Sequence, residues 1–334
     1  MKSVLTIGDG VAAWCLNFYL SKRENIQISN YSSDDFAPAC SLRSTSINCM
    51  RGTQRGMSFL GDLMIDSMIE FEEFFQTYNP DGISKAQEIH FFNGQEKYFK
   101  RYSEAVTLEP SHDFPIKNYS HVHEEVAYLI DPLELKNWFL AQTPELNRQT
   151  GLVRKIEKAK NGYDVYTNGK KEFFDEVYVA TSFFGKNLVH GFNPEFDIYL
   201  EHTKPVCGTY LEIDYDQSFG ERECCYDLEG HHLIVKPSQN IVLLGSTSQE
   251  GPITEHNLDV FQIFDKIKAH YKGDLPDREM WRLKTGVRHK GRKRTPRWQE
   301  ISPGLFVVTG LYKNGYSYAF KAARDLIISQ RTPF

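Results

Sequence analysis

An α/β fold that opens on a Rossmann-like βαβ unit is predicted by three observations in the sequence. Val4, Leu5 and Ile7 make a short apolar run that ends on the glycine turn Gly8-Asp9-Gly10. The segment Val11–Leu20 then carries apolar residues at helical spacing, and Ile26-Gln27-Ile28 alternates like a second strand. Near the C-terminus, Gly304–Gly310 reads as another strand that hands its chain through a glycine-containing loop to a helix from about 318 to 329.

The opening unit has the spacing Gly8-x-Gly10-x-x-Ala13. Gly8 permits the tight turn, Gly10 lets the backbone approach a pyrophosphate, and Ala13 allows the helix to pack closely on the strand. Val11 and Ala12 begin the helix, whose free N–H groups and positive dipole end suit phosphate. An ordinary glycine turn has the same spacing; the strand before it and the helix after it favour the cofactor reading. An acid normally closes the second strand and binds a ribose hydroxyl. Here the strand reads Ile28-Ser29-Asn30-Tyr31 and the first acid is Asp34, so the amide oxygen of Asn30, beside Tyr31, is the expected substitute.

Further elements follow in order. Residues 57–75 form one amphipathic helix, with Phe59, Leu60, Leu63, Met64, Ser67, Phe71 and Phe74 on one face. Leu152–Ile156 and Tyr163–Thr167 are strands around the turn Asn161-Gly162. Val177–Ser182 is a buried strand ending in small polar residues. Thr209–Ile213 and His232–Lys236 alternate as strands, and Leu258–Tyr271 is a helix. If 232–236 faces a cavity, His232, Ile234 and Lys236 share the exposed side.

Composition bounds the class. A chain of 334 residues suggests roughly two domains. Forty percent hydrophobic and 25% charged residues exclude a disordered or collagen-like chain. The sequence contains no apolar run long enough for a transmembrane helix, and its N-terminal apolar stretch is too short for a signal peptide. A formal charge of −5 gives no global pull toward nucleic acid or membrane. The six cysteines form no C-x-x-C pair and no metal spacing, so reduced thiols in a cytoplasmic protein are expected. The aromatic content of 13% suits a protein enclosing a flat ligand, although a large core alone can account for it.

Eight segments in order over nearly the whole chain carry a family resemblance. They are the Gly8–Ala13 turn, Cys40–Ser46, Ile130-Asp131-Pro132, Val177–Ser182, Lys204–Gly208, Val235–Pro237 with Val242–Thr247, Gly286-Val287-Arg288 with Pro296, and Gly310–Gly315. Together the chain resembles the FAD-dependent D-amino-acid oxidase superfamily, in the branch of glycine oxidase and sarcosine oxidase. That branch also holds the FAD half of the bifunctional tRNA wobble-uridine modification enzyme. The resemblance implies an α/β, overall α+β, chain with a Rossmann-like FAD-binding domain (1–50, 125–200, 281–334) and an interleaved mixed-sheet substrate domain (51–124, 201–280). It implies FAD contacts at Gly8, Gly10, Val11, Ala12, Ala13, Asn30 and Tyr31, and at Arg43, Ser44 and Thr45 beneath the flavin. Leu152, Val153, Thr181, Ser182, Gly286, Arg288, Gly310, Lys313, Asn314, Gly315, Tyr316 and Ser317 complete the set. Departures are Ser46 and Ser182 where glycine is usual, Cys207 in place of a basic residue, Ile234 in place of a tyrosine, and Leu243 near the position of an oxygen-activating lysine.

Under this resemblance Arg288 clamps a substrate carboxylate, because a planar guanidinium bonds two oxygens at once. Lys313, with the helix start near Gly315, stabilises negative charge on the flavin. Tyr210, His232 and Lys236 are candidate substrate contacts. The expected function is oxidation of a C–N bond in a small amine or amino acid, with the hydride passing to flavin N5. Six Lys and Arg fall within 288–297, which leaves open a macromolecular substrate such as modified RNA, although no nucleic-acid partner is expected. A flavin-binding protein without catalysis is the other alternative. His231-His232 and His121-x-His123 lack acids or cysteines at ligand spacing, so no metal is expected. Cys224-Cys225 reads as two thiols in a loop.

Overall fold

The computed structural model describes residues 1–32, 39–50, 58–93, 106–108, 114–251 and 256–328. Asp34 and Met57, used in the sequence argument, lie outside them.

The opening unit forms as the spacing predicts: strand Lys2–Ile7, helix Val11–Leu20, strand Ile26–Ser32. Lys2–Ile7 lies between two parallel neighbours, Ile26–Ser32 and Glu176–Val179. Leu305–Thr309 and Asn147–Thr150 extend this parallel sheet, and Arg297–Ser302 closes one edge antiparallel. The carboxyl ends of the parallel strands therefore collect along one rim, where open α/β sheets bind ligands. Alternation sorts their side chains. Val4, Tyr178, Phe306 and Val308 pack under the helices with Trp14, Phe18, Phe71, Phe74, Phe139 and Phe320. Leu5, Ile7, Val177, Val179 and Val307 pack on the other side with Tyr163 and Val165. Those two residues come from a three-stranded antiparallel sheet, Lys155–Lys158, Tyr163–Thr167 and Lys170–Phe174.

A larger mixed sheet stands beside the first. Its order is Gln249–Glu250, Lys204–Asp214, Ile241–Gly245, His231–Lys236, Cys224–Leu228, Ile83–Phe92, His121–Ile130, Ile47–Cys49. Arg282–Lys290 also pairs with Lys204–Asp214, and Val106–Leu108 with His121–Ile130. One face is apolar: Ile89, Phe91, Leu211, Leu233, Val235, Val242 and Leu244 meet Val260, Phe264 and Ile267 of the helix Val260–His270. The opposite face carries the polar residues considered below. Ile47–Cys49 and Arg282–Lys290, which the sequence assigns to the cofactor-binding part, are strands of this second sheet.

Several elements depart from expectation. The first helix of the second part spans Phe59–Tyr78, because the Ser58 hydroxyl caps it by accepting from Gly61 N at 3.0 Å. Phe59 is 69% exposed, so it leaves the buried face. Leu152 and Val153 precede their strand: Gly151 N–H bonds the Ser32 carbonyl at 2.7 Å, which ties that end to the parallel sheet. The helix expected from Leu258 begins at Val260, and the last helix begins at Gly315, directly after a 3-10 turn at Tyr312–Asn314. Cys224 and Cys225 are in a fully buried strand, not a loop. All six cysteines are free. No helix of the described residues is long and apolar enough to cross a membrane.

Candidate active site

A cavity of about 1950 Å³ is lined from both large sheets. Its first wall is the rim of the parallel sheet. Gly8 adopts φ +132°, and a Cβ there would stand 2.5 Å from the Ala180 carbonyl oxygen. A Cβ on Gly10 would stand 3.2 Å from Ser41 Oγ, the same hydroxyl that accepts the Val11 N–H at 3.0 Å. The turn is thus packed against the segment 40–46, with Ala12 opening onto the cavity. Asp9 also lines it and accepts from Lys136 Nζ at 2.5 Å and Trp14 Nε1 at 3.3 Å. Lys136 belongs to the helix Pro132–Ala141, whose N-cap Asp131 accepts from Leu133 N and Glu134 N. Nothing near Gly8 in the sequence signals this lysine.

The second wall is the C-terminal loop. Gly310 holds φ +75°, and Lys313, Asn314, Gly315, Tyr316 and Ser317 follow along the cavity. The Lys313 ammonium lies 5.8 Å from the Tyr312 ring centroid. Tyr316 donates its hydroxyl to the Ser41 carbonyl at 2.8 Å, and Ser317 donates to Asn48 Oδ1. Ser44, Thr45, Leu152, Val153, Thr181, Ser182 and Gly286 line the same space.

The third wall is the polar face of the second sheet. Arg288 is 7% exposed and lines the cavity. Its Nη2 donates to Ser246 Oγ at 3.1 Å and its Nη1 to the Thr247 carbonyl at 3.5 Å. A Cβ on Gly208 would stand 2.3 Å from Nη1, so the guanidinium lies flat over that glycine. His289, next in the strand, also lines the cavity and pairs its Nδ1 with Thr309 Oγ1 at 2.6 Å. Burial, then the Lys186 ammonium, push its pKa down to about 4 against the Ser182 carbonyl, so the ring is neutral at neutral pH. Farther along the sheet, Glu88 and His232 line the cavity. Behind them His90 sits between Asp227 (2.9 Å) and Glu125 (2.8 Å). Burial opposes its charge, but Glu88, Asp227 and Glu125 outweigh burial and push its pKa up to about 10. The acids missing beside the histidines in sequence arrive from neighbouring strands.

One sequence family, described as "DAO: FAD dependent oxidoreductase", matches residues 3–327. The chain belongs to this family of FAD-dependent oxidoreductases. No curated protein matches it in sequence. Solved structures share its fold at low identity. Glycine oxidase from Geobacillus kaustophilus superposes with a TM-score of 0.78 at 16% identity, covering 100% of this chain and 97% of that one. Dithionite-reduced L-α-glycerophosphate oxidase from Mycoplasma pneumoniae, with FAD bound, gives 0.80 at 15% identity, with coverages of 100% and 96%. L-proline dehydrogenase from P. horikoshii gives 0.77 at 12%, with coverages of 99% and 94%.

The residues of this FAD-dependent oxidoreductase fit such a cofactor. Gly8 and Gly10 border the cavity together with Val11 and Ala12, the first residues of the helix Val11–Leu20, so a turn without side chains and a helix N-terminus meet there, which suits a pyrophosphate.

Other expected contacts stand off the cavity, each for a packing reason. Ala13 is in the core beneath the turn. Asn30 spends its amide N–H groups on Thr6 Oγ1 at 2.9 Å and the Gly8 carbonyl at 3.0 Å, bracing the turn from behind. Tyr31 turns its hydroxyl to Gln149 and Glu172. Arg43 does not line the cavity; its carbonyl backs Gly286, where a Cβ would stand 2.3 Å away. Tyr210 is buried with Ile234 and Leu243. Lys236 is 1% exposed and donates to the Ile130 carbonyl at 2.8 Å. His232, Ile234 and Lys236 do share a face, but only His232 reaches the cavity. The basic run is not one surface patch either: Arg288 is buried and Lys290 is ion-paired to Glu250.

Proposed function

We propose that the cavity holds FAD and that the enzyme oxidises the C–N bond of a small amino acid or amine. The observation that carries this reading is Arg288, a buried guanidinium fixed at the cavity wall by Ser246 and Thr247. A buried arginine with its plane held is suited to a carboxylate, which it can bond through two parallel N–H groups. FAD, when bound, accepts the hydride that leaves the substrate carbon. Arg288 orients the acid end, and Lys313 with the first turn of the helix Gly315–Ile328 supplies positive potential along the wall formed by the C-terminal loop. His289, neutral, adds no competing charge beside Arg288. Loss of the hydride from the neutral amine leaves an iminium ion, which gives up its N–H proton to water as an imine or is hydrolysed directly to a carbonyl compound and an amine or ammonia.

The test is the visible spectrum of the purified protein, followed by anaerobic addition of an amino-acid and amine panel. Flavin absorbance that bleaches with carboxylate-bearing amines supports the reading. Flavin that no amine reduces would remove it.

A further inference from the structure

We infer that His232 is the proton acceptor that turns the substrate's ammonium into the neutral amine at the cavity wall; this rests on the amine reading above. Hydride loss starts from a nitrogen that bears a lone pair, whereas an amine or amino acid in neutral water is an ammonium. A base that opens onto the cavity would make the productive form there. His232 lines the cavity with its side chain 22% exposed. In the strand His231–Lys236 it lies across from Gly245, which has no side chain to cover it, and the next residue, Ser246, accepts from Arg288. The imidazole and the guanidinium thus share one wall, as an amino acid requires of groups that meet its nitrogen and its carboxylate. His289, the other cavity histidine, is 2% exposed, and its pKa of about 4 makes it a poor acceptor.

Behind the His232 ring the sheet gathers acids. Its Nε2 is 3.7 Å from Glu88 Oε1 and 3.9 Å from Asp227 Oδ1, beyond hydrogen bonding but close enough for strong Coulomb attraction. Asp227 is its cross-strand partner, His90 is that of Asp227, and Glu125 meets His90 from the next strand. His123 stands across from His90, and the Cys225 thiol lies within 4.8 Å of Glu88 and His232. Arg288 is the cation on the Ser246 side. Glu88, Asp227 and Glu125 outnumber the single charge of His90, so the group is negative and stabilises an imidazolium at His232. In the step, an ammonium N–H bond breaks and an imidazole N–H bond forms, with no change of oxidation state. The positive charge passes from the substrate nitrogen to the ring that faces the carboxylates, and the proton later leaves to water in the cavity.

The experiment follows anaerobic flavin reduction at low substrate, from pH 6 to pH 10, in the unmodified holoenzyme and in His232→Gln. It uses two amino acids whose ammonium groups differ in acidity. In the unmodified enzyme the rising limb of the rate against pH should fall at the same place for both, because it belongs to the protein. H232Q should be about a hundredfold slower near neutral pH. Its rising limb should move up to each substrate's own ammonium value, and above that value its rate should approach the unmodified one. FAD content, and the binding of acetate read from the flavin spectrum, should stay unchanged, since Arg288 is untouched. His232→Asn serves if H232Q fails to fold, and the two-substrate comparison needs no variant. A limb that tracks the substrate in the unmodified enzyme would overturn the assignment. So would an H232Q loss of equal size at every pH, which makes the residue structural. Flavin that no amine reduces in the unmodified enzyme would instead defeat the amine reading itself.

Discussion

Arg288 owes its position to two neighbours, Ser246 on one edge and Gly208 beneath. Removing the guanidinium by Arg288→Ala should lower kcat/KM for amino acids by roughly 30- to several-thousand-fold, the range for a buried charged contact of about 2–5 kcal/mol. Flavin content should stay near wild type, and neutral amines should barely notice the change. Arg288→Lys should recover only part of the loss. Equal losses for acids and neutral amines would make the residue structural. Gly208→Ala gives a second handle, because its Cβ would displace the guanidinium while keeping the charge. It should reproduce part of the R288A defect, measured on the same substrate pair. Arg288 was legible from the sequence because it follows Thr285-Gly286-Val287 in a family-like order. His289 was not: a histidine inside a basic run has no local pattern that points inward.

At the scale of elements, the glycine turn was the clearest sequence signal, since the strand before it, the helix after it and the next strand all fall within about the first thirty residues. Gly10→Val should abolish flavin retention, because the side chain would enter the space shared by the turn and Ser41. Normal flavin content in that variant would place the cofactor elsewhere. Ser46 and Ser182, where the resemblance leads to an expectation of glycine, adopt φ +51° and +56°. A left-handed non-glycine residue costs roughly 1–2 kcal/mol. Ser182→Gly should therefore raise the unfolding midpoint slightly, and a lowered midpoint would mean that its hydroxyl matters more than its backbone. Element boundaries were less legible. The strand at 155 starts late because of a bond between Gly151 and Ser32, residues more than a hundred positions apart.

Over the whole molecule, five thiols are held above their ordinary range by burial: Cys15, Cys40, Cys207, Cys224 and Cys225. Their stabilising contribution is complete below the unfolded thiol value of about 8.5 and is lost as pH rises through that value toward the folded ones. Lys236 acts in the opposite sense. Burial lowers its pKa to about 8, so stability rises with pH between there and the ordinary lysine range. His90, held charged in the fold up to about pH 10, acts in the same sense as the thiols, so these groups against Lys236 alone predict a net fall in urea midpoint between pH 8 and pH 10 under reducing conditions. A midpoint that rises over that interval would show that Lys236 dominates. Composition shows six cysteines but not their burial. That burial, like the meeting of Glu88, His90, Glu125 and Asp227, depends on strand order in the second sheet. Strands distant in sequence pair there, and no periodicity encodes which neighbours they choose.

The strand Arg282–Lys290 turns successive residues to different tasks. Gly286 admits the Arg43 backbone, Arg288 faces Ser246, and His289 reaches across to Thr309 of the parallel sheet. In a pleated strand, one inserted or deleted residue exchanges the two sides for everything beyond it. Such a change before position 288 would carry the cation to where the neutral ring belongs and the ring to where the cation belongs. Under the function proposed above, replacing one side chain in this strand alters one wall contact at a time, whereas a change of length would displace Arg288 and His289 together.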